Sequence, residues 1–220
     1  MKTSLYLLPL GVIVVFFLVA AEMRGNLRAR FILKPLATLL VIAVACLAFL
    51  EPTQNPIYTA GVLIGLIFSF GGDVALMFEN RRAFLLGLVL FLLAHIAYTI
   101  TFTALTSFST LDLVSTLILV VLGVGFYRLI APNLGTLRVP VIVYIVVISV
   151  MVNRAIAALA SPMFSHIAAV MIALGAILFY ISDMLLAAAR FWRPFRYHRI
   201  SLAFYYAGQL LLALAASYFV

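Results

Sequence analysis

The stretch "GLIFSFGGDVALMF", residues 65–78, sets one carboxylate, Asp73, inside a run otherwise suited to lipid. Whether that run lies in water or in hydrocarbon decides the fold. The rest of the chain answers it: 67% of the 220 residues are hydrophobic and only 9% are charged, with a mean hydropathy of +1.30. So little polar surface cannot cover a soluble domain, so the chain belongs in a bilayer. About 20 apolar residues carry a helix across the hydrocarbon core. Between charge clusters and Pro, Gly and Asn breaks the chain offers eight such spans, near 4–21, 32–50, 58–77, 84–104, 112–130, 139–158, 166–189 and 200–219. They leave short loops and no room for a soluble domain. The expected fold is one all-α, polytopic membrane domain over residues 1–220 with eight transmembrane helices.

The first span ends in the small residues "LVAA" and superficially resembles a signal peptide. The segment after it, "EMRGNLRARFILK", carries Arg24, Arg28, Arg30 and Lys34. Such a cluster stays in the cytoplasm, so a retained helix is expected. The remaining cations follow the same rule. Arg81 and Arg82 lie between spans 3 and 4, Arg128 and Arg138 between 5 and 6, and Arg190, Arg193, Arg196 and Arg199 between 7 and 8. Only Lys2 and Arg154 fall outside the odd-numbered loops. Those loops are therefore expected in the cytoplasm and both termini outside. The net charge of +8 is an orientation signal and an attraction to anionic headgroups, which excludes a nucleic-acid partner. Cys46 stands alone in span 2, so neither a disulfide framework nor a thiolate metal site is expected.

The opening motif has a counterpart. "GLIFSFGGD" and "GAILFYISD" each place a glycine eight residues before an aspartate, Gly65 before Asp73 and Gly175 before Asp183. Each is followed by an Arg-bearing loop and another span. Spans 3 and 7 run in the same direction, which suggests a parallel repeat of four plus four helices. The alternative is that any two inward-running spans ending at a basic loop look alike. Either way the two acids are expected at similar depth beneath the inner headgroups.

A carboxylate within a span costs about 2.5–3.5 kcal/mol at mid-membrane and less toward the interface. Two such costs point to function, although a helix cap or an ion pair with a nearby Arg is the plainer reading. Two carboxyls brought together at low dielectric resist ionising together. One can then hold a proton while the other is charged, an arrangement suited to acid–base work through an oxocarbenium-like species. In span 4, Phe91, His95, Tyr98 and Phe102 share one helical stripe; His95 and Tyr98 can bind substrate or orient an aspartate, or simply be satisfied core residues. Tyr206 and Gln209 share a face of span 8, where Gln also joins helices. Lys34, in "LKPL", offers a point charge to a phosphate or an ordinary interfacial anchor. Asn153 and Arg154 read as anchors of span 6, and "GVLIG" at 61–65 as a helix-packing motif. No nucleophile elbow, Walker loop or HExxH motif occurs. His95, His166 and His198 fall at different levels, so no metal site is expected, and no cofactor.

Taken in order, "KPL" at 34–36, "GGDVALMF" at 71–78, "GLVLFLLAHIAYTITF" at 87–102, "GAILFYISDMLLAA" at 175–188 and "YYAGQLLL" at 205–212 resemble the YhhN family of integral membrane proteins, which includes lysoplasmalogenases. The resemblance implies hydrolysis of the vinyl ether bond of a lysoplasmalogen, releasing a fatty aldehyde and glycerophospho-ethanolamine or -choline. It assigns Asp73 and Asp183 to the two acidic motif positions, and Lys34, His95, Tyr98, Tyr206 and Gln209 to polar, substrate-binding ones. The partner is then a lysophospholipid among membrane lipids. From the short loops and the lack of sorting signals, a bacterial inner membrane is the expected location. The same two acids would equally suit a proton-coupled transporter or a lipid-binding permease, the rival reading of these residues.

Overall fold

The computed structural model describes residues 2–194 and 198–219; Arg196, counted above among the loop cations, lies outside them, as does the side chain of His198. Among the described residues there are eight α-helices and no strand. After a 3₁₀ turn at Thr3–Leu7 come α1 (Leu8–Met23), α2 (Leu27–Leu47), α3 (Pro56–Ala75) and α4 (Arg81–Leu105). They are followed by α5 (Thr110–Ile130), α6 (Arg138–Ala157), α7 (His166–Phe191) and α8 (Ser201–Ala215). Polar residues at the breaks start five of these helices. Asn26, Asn55, Asn80 and Ser165 each accept a backbone N–H of the first turn, and Ser109 forms a capping box with Asp112.

Seven helices are long and apolar enough to cross a membrane, and they follow the expected spans 1–7 closely. The eighth differs: α8 has 15 residues, or about 22 Å at 1.5 Å per residue, short of a hydrocarbon core of about 30 Å. It lies against α7, α2, α1 and α3, and most of its side chains are buried. The length rule binds helices that face lipid, and protein shields this one. Beyond Ala215 the backbone turns, Ser217 N–H donating to Leu214 O and Tyr218 N–H to Ala215 O.

Glycines set two of the tightest helix contacts. On α3 a Cβ at Gly61 would meet Thr101 and one at Gly65 would meet Tyr98, both on α4, so "GVLIG" is the packing seam its spacing predicts. On α8, a Cβ at Gly208 would fall 2.7 Å from the carbonyl oxygen of Gly175 on α7. The glycine that precedes each motif aspartate is thus where the following helix docks.

Hydrogen bonds sort the loops into two ends. Arg30 donates to Met77 O, Arg81 to Thr136 Oγ1 and Asn133 to Phe191 O, which gathers the odd-numbered loops. At the other end Lys2 donates to Thr53, Thr53 to Ser217 O, Ser161 to Leu105 O and Ser165 to Tyr218 O. Both cations of that end are matched, Lys2 by Glu51 at 3.6 Å and Arg154 by Asp112 at 2.5 Å. Arg154 also donates to Thr106, and Asn153 to Asp112 O, Ser115 and Thr116. The pair expected as membrane anchors therefore ties α4, α5 and α6 together.

Candidate functional site: two aspartate centres joined by aromatic rings

α2, α3 and α8 build the first centre. Asp73 comes two residues before the end of α3 and is 1% exposed. Lys34, on α2, brings Nζ to 3.2 Å from Asp73 Oδ1. Thr38, one turn further along α2, donates to Asp73 Oδ2 at 2.6 Å, and Tyr205 of α8 donates to the same oxygen at 2.7 Å. Tyr206 turns instead to the other partner, donating to the Lys34 carbonyl at 3.1 Å and meeting Thr38 Oγ1 at 3.1 Å. This carboxylate faces a full cation and two hydroxyls, the arrangement that keeps a buried charge tolerable. Lys34 is buried with it and points into the bundle rather than toward a headgroup.

The second centre draws on α4, α6 and α7. Asp183 lies eight residues before the end of α7. Its side chain is 15% exposed and forms part of the wall of a narrow, half-open apolar cavity of about 80 Å³. The Tyr144 hydroxyl, from α6, donates to Asp183 Oδ2 at 2.5 Å. His95 Nε2 stands 3.7 Å from the same oxygen, beyond hydrogen-bond length. Neither nitrogen of this fully buried imidazole has a hydrogen-bond partner among the described residues. Buried polar groups without partners are rare, and a catalytic role is one of the few explanations for them. Among the described residues no Lys or Arg lies within ion-pair distance of Asp183, whereas Asp73 has one.

The two aspartates do not share a hydrogen bond. Rings stand between their partner sets: Tyr205 packs on Phe179 at 5.1 Å and on Phe91 at 5.8 Å, and Phe179 packs on His95 at 4.7 Å. A polar thread runs beside them, in which Tyr98 donates to Gln209 Oε1 at 2.7 Å and Gln209 Nε2 donates to Ser69 at 2.8 Å. Ser69 lies one helical turn before Asp73. The expected stripe of Phe91, His95, Tyr98 and Phe102 is buried throughout, as are Tyr206 and Gln209. The seven candidate residues thus gather around two linked centres, Asp183 with His95 in one and Asp73 with Lys34 and Tyr206 in the other, with Tyr98 and Gln209 between.

Residue-by-residue reading missed Thr38, Tyr144 and Tyr205. Thr38 was accessible as the residue four after Lys34, on the same helical face. Tyr144 is the one phenol in span 6, "VPVIVYIVVISV", at a depth where apolar residues are the rule. Among the described residues no group of three His, Cys, Asp or Glu could hold a metal ion.

No solved structure matches the chain. The bovine (Bos taurus) lysoplasmalogenase TMEM86A is 34% identical over 161 residues, covering 70% of this chain and 64% of its own length. The human (Homo sapiens) protein of that name is 33% identical over the same shares. The chain thus spans somewhat less than two thirds of these relatives. Residues 29–216 match the YhhN family, a range that takes in both aspartate centres and all of α2 to α8 except the first two residues of α2. With seven membrane-length helices and that match over most of its length, this chain is an integral membrane protein and belongs to the YhhN family.

Proposed function

We propose that the protein is a lysoplasmalogenase-like hydrolase that cleaves the vinyl ether of a lysophospholipid held in the Asp183 cavity. The observation that carries the reading is the placing of Asp183 and Tyr144 in the wall of an apolar cavity, with the buried His95 behind them at 3.7 Å from Asp183 Oδ2. The relatives' printed activity supports it. The cavity's apolar, half-open lining suits contact with one lipid chain, and the few polar groups in its wall suit a single reactive bond.

The two aspartates divide the work. Asp183 delivers a proton to the alkene carbon farther from the ether oxygen. The oxygen lone pair then forms the oxocarbenium ion. Water adds to the carbon next to the oxygen, and its proton passes to the Asp183 carboxylate with His95 as the neighbouring acceptor. The hemiacetal then collapses: Asp183 gives its proton to the departing glycerol oxygen as that C–O bond breaks, and the hemiacetal hydroxyl returns its proton to Asp183 as the aldehyde C=O forms. The products are a fatty aldehyde and a glycerophospho alcohol. Tyr144 holds Asp183 in orientation through the phenol–carboxylate bond. Asp73, matched by Lys34, is a positioning residue: through Tyr205 it sets the ring stack of Phe179 and Phe91 against which His95 rests.

Purified protein given a lysoplasmalogen is expected to release free aldehyde, and Asp183→Asn to abolish release while retaining lipid binding. Proton-coupled uptake of the lipid into proteoliposomes, with no aldehyde formed, would instead establish the transporter reading.

A further inference from the structure

The Asp183 cavity has a cation at its mouth. Arg190, exposed near the end of α7, contributes to the same wall as Asp183. Its guanidinium carbon lies 3.7 Å above the ring of Phe84, the fourth residue of α4, and Phe84 packs edge-on against Phe191 at 6.1 Å. Among the described residues no carboxylate stands within ion-pair distance of Arg190. By contrast, Lys34 is buried and paired with Asp73, and Arg154 with Asp112. Arg190 is therefore a held but unmatched charge.

Its position along α7 fits one kind of ligand. Seven residues separate Asp183 from Arg190, close to two full turns, so the two share a face about 10 Å apart along the axis. Long helical side chains lean back toward the N-terminus, which brings the guanidinium nearer to Asp183 than the backbone rise implies. The ring of Phe84 restrains the guanidinium, and its fork geometry matches a phosphate. The gap between phosphate and reactive bond is then bridged by something short and polar, as glycerol is, while the chain beyond lies in the apolar part of the cavity. The odd-numbered loops, rich in arginine, gather at this same end.

We propose that Arg190, seated on Phe84, binds the phosphodiester of the lysophospholipid and so sets the vinyl ether at the level of Asp183. The assignment rests on the functional reading above for the identity of the reactive bond, but not for the phosphate contact. A phosphate lets Arg190 read the headgroup linkage and leaves choline or ethanolamine free toward water.

Binding and turnover separate the two ideas. A non-hydrolysable 1-alkyl lysophosphocholine and its phosphate-free counterpart, a 1-alkylglycerol, are titrated against wild-type protein and Arg190→Gln in the same detergent. The variant is expected to lose about tenfold or more in affinity for the phosphate-bearing lipid and nothing for the neutral one. Arg190→Lys, which keeps the charge but not the fork, is expected to fall between. With an alkenyl lysophosphocholine substrate, KM rises in Arg190→Gln far more than kcat falls. Equal affinity of wild type and variant for the phosphate-bearing lipid overturns the proposal. So does an equal loss for both lipids, which would mark Arg190 as packing for Phe84. Displacement of the lipid by inorganic phosphate at comparable concentration would show a free-anion site and also overturn it. A wild-type protein that shows the phosphate-dependent loss yet releases no aldehyde keeps the Arg190 site and removes the hydrolase reading.

Discussion

At the level of single residues, Asp73 and Asp183 look alike in sequence and are treated differently by the fold. Each follows a glycine by eight residues, on helices that run in the same direction toward the arginine-rich loops, but one meets a lysine and the other a phenol and an imidazole. The difference yields separate outcomes on mutation. Asp73→Asn leaves Lys34 as a buried cation without its counter-charge, so stability should drop by about 3–5 kcal/mol. A thermal scan in one detergent reads this, and Lys34→Met combined with Asp73→Leu should recover much of the loss. That partition was hidden from residue-by-residue reading because it depends on partners from other helices. The two carboxyls were legible as buried and purposeful from their cost in lipid. Lys34 and Tyr206 were legible as polar groups near the site, but not that Lys34 turns to Asp73 and Tyr206 to the Lys34 backbone carbonyl and Thr38. Tyr144 was overlooked because a lone tyrosine in a β-branched span carries no spacing signal.

Among the elements, the helix breaks were legible to within about five residues, and Asn26, Asn55, Asn80 and Ser165 at four of them do the capping that their chemistry predicts. The exception is α8. Its composition reads as a full span, but its length is set by protein neighbours rather than by lipid. The contact that holds it is testable. A side chain at Gly208 would strike the backbone of α7 at Gly175 and Phe179, whereas one at Gly125 on α5 meets nothing within 4 Å. Gly208→Val should therefore destabilise the protein by about 1–3 kcal/mol, and Gly125→Val should change its melting little. Equal effects on melting temperature would mean that α7 and α8 are not in this close register. Because α8 carries Tyr205, Tyr206 and Gln209, the same variant should also disturb the Asp73 centre.

For the whole molecule, an uneven distribution of charge is the simplest organising fact. One end gathers the arginine-rich loops, while at the other Lys2 and Arg154 are each matched by a carboxylate. This predicts that the odd-numbered loops face the cytoplasm. Cysteines placed at the exposed Pro52 and Pro132, in a Cys46→Ser background, should differ in their reaction with an impermeant maleimide. Pro52→Cys should label from outside intact cells and Pro132→Cys only after permeabilisation; the reverse pattern would invert the topology. The cavity of Asp183, with Arg190 at its mouth, would then open to the cytoplasmic leaflet, where a lysolipid can enter with its headgroup in water. The most direct measurement is aldehyde release from a lysoplasmalogen by the purified protein, wild type against Asp183→Asn, with lipid binding followed in parallel. Release by the wild type and a loss of about 10²–10⁴-fold in the variant at unchanged binding are expected. No aldehyde from the wild type, or full release from Asp183→Asn, would contradict the hydrolase reading.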